Sequence, residues 1–342
     1  MMERKNLKFG LMILLLSLAV QTAWGQFCLH SGTVAAVNYD KSEAPVVHTA
    51  LELLQRDYRK VFSDSLQCKE TEGNILVGTL GVNHAIKQSA TDVAALEGRK
   101  EAFLLTVLPD GRLLIAGSDS HGTAYGIMEL SRLIGVSPWE WWADATPKKR
   151  QSFELPSGYR NVQAPSVEYR GIFINDEDWG LYRWSKRNFE KERGNFGPRT
   201  YAKVCELLLR LQANYLCPAM HDASMAFHRI PENRLVADSF AIVMGSSHCE
   251  PLLFNTASEW KRDKMGEWDY INNKDGVNKV LKSRVDECAP FENVYTLALR
   301  GLHDRAMNAS NNMSDRKEML QEALMAQRQM LVDAIGKRAE DI

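Results

Sequence analysis

Residues 197–220, GPRTYAKVCELLLRLQANYLCPAM, decide the fold, because a helical period gives way there to a strand. Tyr201, Val204, Cys205, Leu208 and Leu211 recur at helical spacing and define one apolar face directed inward. Tyr215–Met220 then reads as a short strand. Residues 169–180, YRGIFINDEDWG, precede this pair. Ile172, Phe173 and Ile174 are apolar and β-favouring, and directly after them come Asn175, Asp176, Glu177, Asp178 and Trp179. Three consecutive acids beside a tryptophan are costly at the end of an apolar strand unless they face water or a ligand.

The alternation continues downstream. Residues 239–248, SFAIVMGSSH, read as a third strand after an irregular stretch, and 273–290, NKDGVNKVLKSRVDECAP, as a helix. Residues 292–301, ENVYTLALRG, read as a fourth strand, and a long helix with Ser314 as its cap closes the chain. Four strand–helix alternations predict a parallel sheet with right-handed crossovers, either doubly wound or half of a (β/α)8 barrel. Upstream, VVHTALELLQRDYRKVF places Val47, Ala50, Leu51, Leu54 and Tyr58 on one helix face. AFLLTVLPDGRLLIAGS reads as two strands joined at Pro109-Asp110-Gly111, and a helix capped within Ser118–Ser120 follows. A small α/β domain therefore precedes the alternating region and ends near SPWEWWADATPKKR. There Trp139, Trp141 and Trp142 read most simply as a packing cluster, with a sugar-stacking platform as the functional alternative.

Each strand of the alternating region ends in polar groups. The second ends at His221 and Asp222, the third at Ser246, Ser247, His248, Cys249 and Glu250, and the fourth at Arg300, His303 and Asp304. Carboxyl ends of parallel strands share one face, so four such ends converge on one pocket. Bulk properties narrow its chemistry. The 342 residues carry 42 basic and 43 acidic side chains, a net charge of −1, and no long basic block, which argues against nucleic-acid binding. GxGxxG, GxxxxGK(S/T) and GxSxG are all absent, so no nucleotide cofactor or serine elbow is expected. His221, Asp222, His248 and Glu250 offer ligand atoms, but their spacing matches no common metal pattern, and neither metal nor cofactor is expected. Paired carboxylates with histidine, arginine and tryptophan remain. Carboxylates supply the acid and base of glycosidic cleavage, and an arginine can grip a uronate through two parallel hydrogen bonds.

The N-terminus predicts export. Arg4, Lys5 and Lys8 precede the apolar run LMILLLSLAV, followed by small residues at Ala23 and Gly25, as in a secretory signal peptide cut before Gln26. The alternative, a transmembrane anchor, needs a longer apolar run. A periplasmic or secreted protein with no stable membrane span follows. Six cysteines in an exported chain raise disulfides, with Cys28 and Cys68 a conceivable pair, but no CxxC occurs and no zinc or thioredoxin-type site is suggested.

Several of these stretches together resemble glycoside hydrolase family 115, the xylan α-1,2-glucuronidases. They are IAGSDSHGTAYGIMELSRLIGVSPWEWWAD, YRGIFINDED, GPRTYAKVCELLLRLQANYLCPAM, IVMGSSHCEP, GEWDYINNKDGVNKV and ENVYTLALRGLHD. The resemblance implies a small α/β domain, residues 26–160 after a leader of 1–25, and then the first half of a (β/α)8 barrel at 161–342. It implies hydrolysis of glucuronic acid or its 4-O-methyl ether from polysaccharide or oligosaccharide side chains, with inversion, and a homodimer for the full-length form. Asp176, Asp178, Glu250 and Asp304 become candidate catalytic residues. Glu177, Trp179, His221, His248, Arg300 and His303 become candidate sugar contacts, Arg300 with the uronate carboxylate. The family places tryptophan where this chain has Cys217 and His221, and it places a catalytic carboxylate beyond the fourth strand. The reading therefore includes a fragment of a longer enzyme. Its alternatives are a non-catalytic carbohydrate-binding remnant and a hydrolase for another acidic glycan, such as an arabinogalactan or pectic side chain.

Overall fold

The structure is a computed structural model describing residues 25–83, 86, 91–338 and 340. Residues 1–24 of the leader lie outside this range. The chain is α/β and divides into two compact units, residues 1–137 with 146–165, and residues 138–145 with 166–342. Among the described residues, no helix is long and apolar enough to cross a membrane.

In the first unit, β1 (Phe27–His30) pairs antiparallel with β7 (Ser152–Leu155) as a two-stranded ribbon. The main sheet has six strands. They are β2 (Ala35–Asn38), β3 (Leu66–Lys69), β4 (Ile75–Thr79), β5 (Phe103–Val107), β6 (Leu113–Gly117) and β8 (Arg160–Gln163), in the order β3-β2-β4-β6-β5-β8. β3, β2, β4 and β6 run parallel, whereas β5 is antiparallel to β6 and β8 to β5. β4, β5 and β6 are buried at every residue, because both faces of the sheet are covered and no polar alternation is needed. The β5–β6 hairpin turns at Gly111, whose φ of 85° suits a residue without a side chain. Its N–H donates to the Leu108 carbonyl at 2.9 Å. Helix α1 (Pro45–Phe62) buries the apolar face read from its spacing. Helix α2 (Ser120–Leu133) is capped by Asp119, whose Oδ1 accepts from the Gly122 N–H at 2.9 Å. All six cysteines are free thiols, so Cys28 and Cys68 form no bridge.

In the second unit, β9 (Gly171–Phe173), β10 (Tyr215–Cys217) and β11 (Val243–Met244) are parallel neighbours in chain order. Helix α3 (Pro198–Arg210) crosses from β9 to β10, and α4 (Pro231–Ser239) from β10 to β11. The stretch read as irregular thus contains α4, and the third strand shrinks to two residues because Ser239 still belongs to that helix. Helix α5 (Lys274–Cys288) follows, and then residues 292–296 run beside β11. They are held by Met244 N–H to Glu292 O at 3.1 Å and Val294 N–H to Met244 O at 2.9 Å. Only a bridge at Asn293 forms instead of the expected fourth strand. Leu211 is 46% exposed rather than inward, because α3 ends at Arg210 and the chain turns away there. Helix α6 (Met313–Ile335) is capped by Asn312, which accepts from the Ser314 N–H, so the cap lies two residues before the serine.

Candidate active site

The carboxyl end of β9 carries the acidic run. Asp176 sits in the left-handed region at φ 54°, a conformation aspartate tolerates better than most residues, and the chain then tightens into a 3₁₀ turn over Glu177–Trp179. The turn sends consecutive acids in different directions. Asp176 stays in solvent, Asp178 is half-buried, Trp179 is 81% exposed, and Glu177 is buried at 2%. The Glu177 Oε1 accepts from the His221 N–H at 2.8 Å and the Ser224 hydroxyl at 2.6 Å, while Oε2 is buried with no hydrogen-bond partner. Glu177 therefore ties the end of β9 to the end of β10.

That tie places the His221 ring between two carboxylates. Its Nδ1 lies 3.0 Å from Asp178 Oδ1, and its Nε2 lies 3.8 Å from Asp176 Oδ1. At the end of β11, Glu250 is likewise withdrawn, with 6% exposure. It accepts from the Ser247 N–H at 3.0 Å and from the Asn255 side-chain amide at 2.8 Å. Burial is the main cause that pushes its carboxyl above the ordinary range. Glu250 is thus held beneath the open groups by burial and by its Ser247 and Asn255 donors. Asn255 also donates to the Met220 carbonyl at 2.8 Å, so it joins the β10 and β11 ends. It escaped the sequence reading because it lies five residues past Glu250, away from any strand end.

The open groups are His248, Arg300, His303 and Asp304. His248 Nε2 is 3.0 Å from Asp304 Oδ1, and Arg300 Nη2 is ion-paired with the same oxygen. These contacts, His248 foremost, hold the Asp304 carboxyl below its ordinary range. The Arg300 carbonyl accepts from the Trp268 indole at 2.7 Å, and Thr256 Oγ1 accepts from the His303 N–H at 2.9 Å, which fix the backbone on either side. The His303 ring meets His221 edge-on at 5.9 Å. The structure thus brings Asp176, Asp178, His221, His248, Arg300, His303 and Asp304 into one connected group with accessible carboxylates and a cation. His221 and His248 turn to different carboxylates, Asp178 and Asp304, rather than to a shared centre with Asp222 and Glu250. Trp141 and Trp142 pack on Trp184, at 5.7 and 6.2 Å between ring centres, with Lys203 over Trp141, whereas Trp139, read as part of that cluster, is 49% exposed.

The sequence model described as glycosyl hydrolase family 115 matches residues 162–342. A solved family GH115 4-O-methyl-α-glucuronidase, with specificity for decorated arabinogalactans, is similar at 47% identity and a TM-score of 0.88. The similarity covers 92% of this chain and 42% of that one, so this chain spans less than half of that relative's length. A chitobiase from Flavobacterium johnsoniae has a TM-score of 0.54 at 14% identity, covering 91% of this chain and 49% of its own. A β-hexosaminidase from Streptomyces plicatus has a TM-score of 0.53 at 14% identity, covering 92% and 62%. At that identity the likeness is one of fold alone. No curated protein matches the chain.

Proposed function

The chain belongs to glycoside hydrolase family 115, and from that premise we propose that the whole protein removes glucuronic acid or its 4-O-methyl ether from polysaccharide side chains. The observation that carries this reading is the His248–Asp304–Arg300 constellation beside His221 and Asp178. An arginine at a strand end supplies the planar pair of donors that a uronate carboxylate fits. Asp304, held ionised by its neighbours, suits the charged partner of an inverting displacement, in which one carboxylate activates water while a second acid protonates the leaving oxygen. Asp178, ordered by His221, stands next in line for a catalytic part, and the exposed Trp179 ring offers a face for a sugar. The strands β9, β10 and β11, parallel and in chain order with residues 292–296 next, support a (β/α)8 barrel of which these are the opening strands. Export through the leader belongs to the same reading.

Between xylan and another acidic glycan, the 47% identical relative favours decorated arabinogalactan. The test is release of free uronic acid by the full-length protein from glucuronidated arabinogalactan and, in parallel, from glucuronoxylan oligosaccharides. Release from the first, with a loss of roughly 10- to 150-fold in kcat/KM for Arg300→Ala, is the expected result, as for removal of a charge-assisted contact. Release from neither substrate overturns the reading, and release from xylan alone overturns the arabinogalactan assignment.

A further inference from the structure

Away from the strand-end site, in the first unit, the β1–β7 ribbon carries a second cluster of chemically active side chains. Strand alternation separates its two faces. Phe27 and Leu29 are buried at 1% and 2%, so Cys28 and His30 stand on the opposite face. The antiparallel register sets Cys28 directly opposite Glu154, and cross-strand partners lie close enough for their side chains to meet. Cys28 Sγ, a ring nitrogen of His30 and a carboxylate oxygen of Glu154 lie within 4.8 Å of one another. The ribbon is held in place at its start, where the Gly25 N–H donates to the Pro109 carbonyl at 3.0 Å.

We propose that Cys28, His30 and Glu154 form a zinc-binding site on this ribbon, with solvent completing the fourth position. Thiolate, imidazole and carboxylate are the three ligand types that zinc takes in tetrahedral sites, and a soft sulfur excludes magnesium and calcium. The carboxylate is already oriented, because the Gln26 side-chain amide donates to Glu154 Oε2 at 2.8 Å. A hydrogen-bonded outer partner of this kind fixes the ligand before the ion arrives. Zinc takes the cysteine sulfur as thiolate, so its entry releases the thiol proton to solvent. The motif escapes a spacing search, because its two segments lie at opposite ends of the unit, 128 residues apart between Gln26 and Glu154.

The test uses the full-length, metal-stripped protein titrated with Zn²⁺ against a chromophoric chelator, and with Co²⁺ as a spectroscopic stand-in. The expected result is one ion per chain and a thiolate-to-cobalt charge-transfer band that disappears in Cys28→Ser. Zinc affinity falls at least tenfold in His30→Ala and Glu154→Gln, and about tenfold in Gln26→Ala. His30 and Glu154 are exposed, so these variants keep their fold, which far-ultraviolet circular dichroism verifies. A cobalt complex without the band, a band that survives in Cys28→Ser, or zinc affinity unchanged in His30→Ala overturns the proposal.

Discussion

Asp304 illustrates how much one side chain depends on contacts that no spacing rule contains. Its folded pKa is depressed, first by the His248 hydrogen bond and then by Arg300. A depressed carboxylate stays charged until the pH falls through its folded pKa, so activity that needs the anion persists into acid. His248→Ala removes the largest of these causes. The acidic limb of kcat/KM is expected to move to higher pH in that variant, measured on a uronate-bearing substrate; a limb that does not move counts against Asp304 as the working anion. Glu250 runs the other way. Its folded pKa is raised, so its favourable contribution is complete below the ordinary carboxylate pKa and is lost as pH rises through the folded value. Unfolding free energy followed by urea titration across that interval is expected to decline in the parent chain. Which acids along Asp176–Asp178 and at Glu250 face solvent was not legible in the sequence. All are carboxylates after a strand, and only the left-handed turn at Asp176 and the donors of Ser224, Ser247 and Asn255 separate them.

At the scale of elements, two devices set where the strand ends stand. Helix α3 begins at Pro198, and its first free N–H groups find an outside partner in the buried Glu190 carboxylate. That group accepts from the Gly197 and Thr200 N–H groups at 2.7 and 3.0 Å and from the Thr200 hydroxyl. A π-helical turn over Ser185–Phe189 places Glu190 there. Glu190→Ala leaves those donors unsatisfied and is expected to lower stability by about 2–3 kcal/mol, read from the denaturant midpoint. The second device is Gly171 on β9. A side chain there would begin 1.9 Å from the Tyr215 carbonyl oxygen, so β9 and β10 approach only because the position is bare. Gly171→Ala should cost about 1–3 kcal/mol by forcing the pair apart, and should perturb His221, which hangs from the far end of β10. Helices α1, α3 and α5 were readable because their apolar periods exceed three turns. The two-residue β11 and the bridge at Asn293 carry too few residues to impose a period.

At the scale of the whole molecule, β9 is a poorly protected strand. All three of its residues are exposed, with Ile172 at 43% and Phe173 at 44%, and Tyr169 just before it is 51% exposed. An apolar strand at the edge of a parallel sheet offers both open backbone groups and greasy surface to a neighbour. The 342-residue chain expressed by itself is expected to self-associate, measured by light scattering across a concentration series, and Phe173→Lys to reduce that association; a monodisperse monomer at every concentration refutes this. Sequence by itself determined the α/β class, the strand–helix alternation and the kinds of group at each strand end, because apolar periods and polar breaks are local properties of neighbouring residues. It also carried the family, since long ordered motifs survive in the chain. Only the tertiary structure decided that Glu177 and Glu250 are withdrawn while Asp178 and Asp304 are presented, and that Cys28 and His30 meet Glu154. Those outcomes rest on burial, backbone turns and register between segments distant in the chain. Contacts such as Glu177 with Ser224, His248 with Asp304 and Cys28 with Glu154 arise when strands pair and helices pack, and no short window of sequence contains both partners.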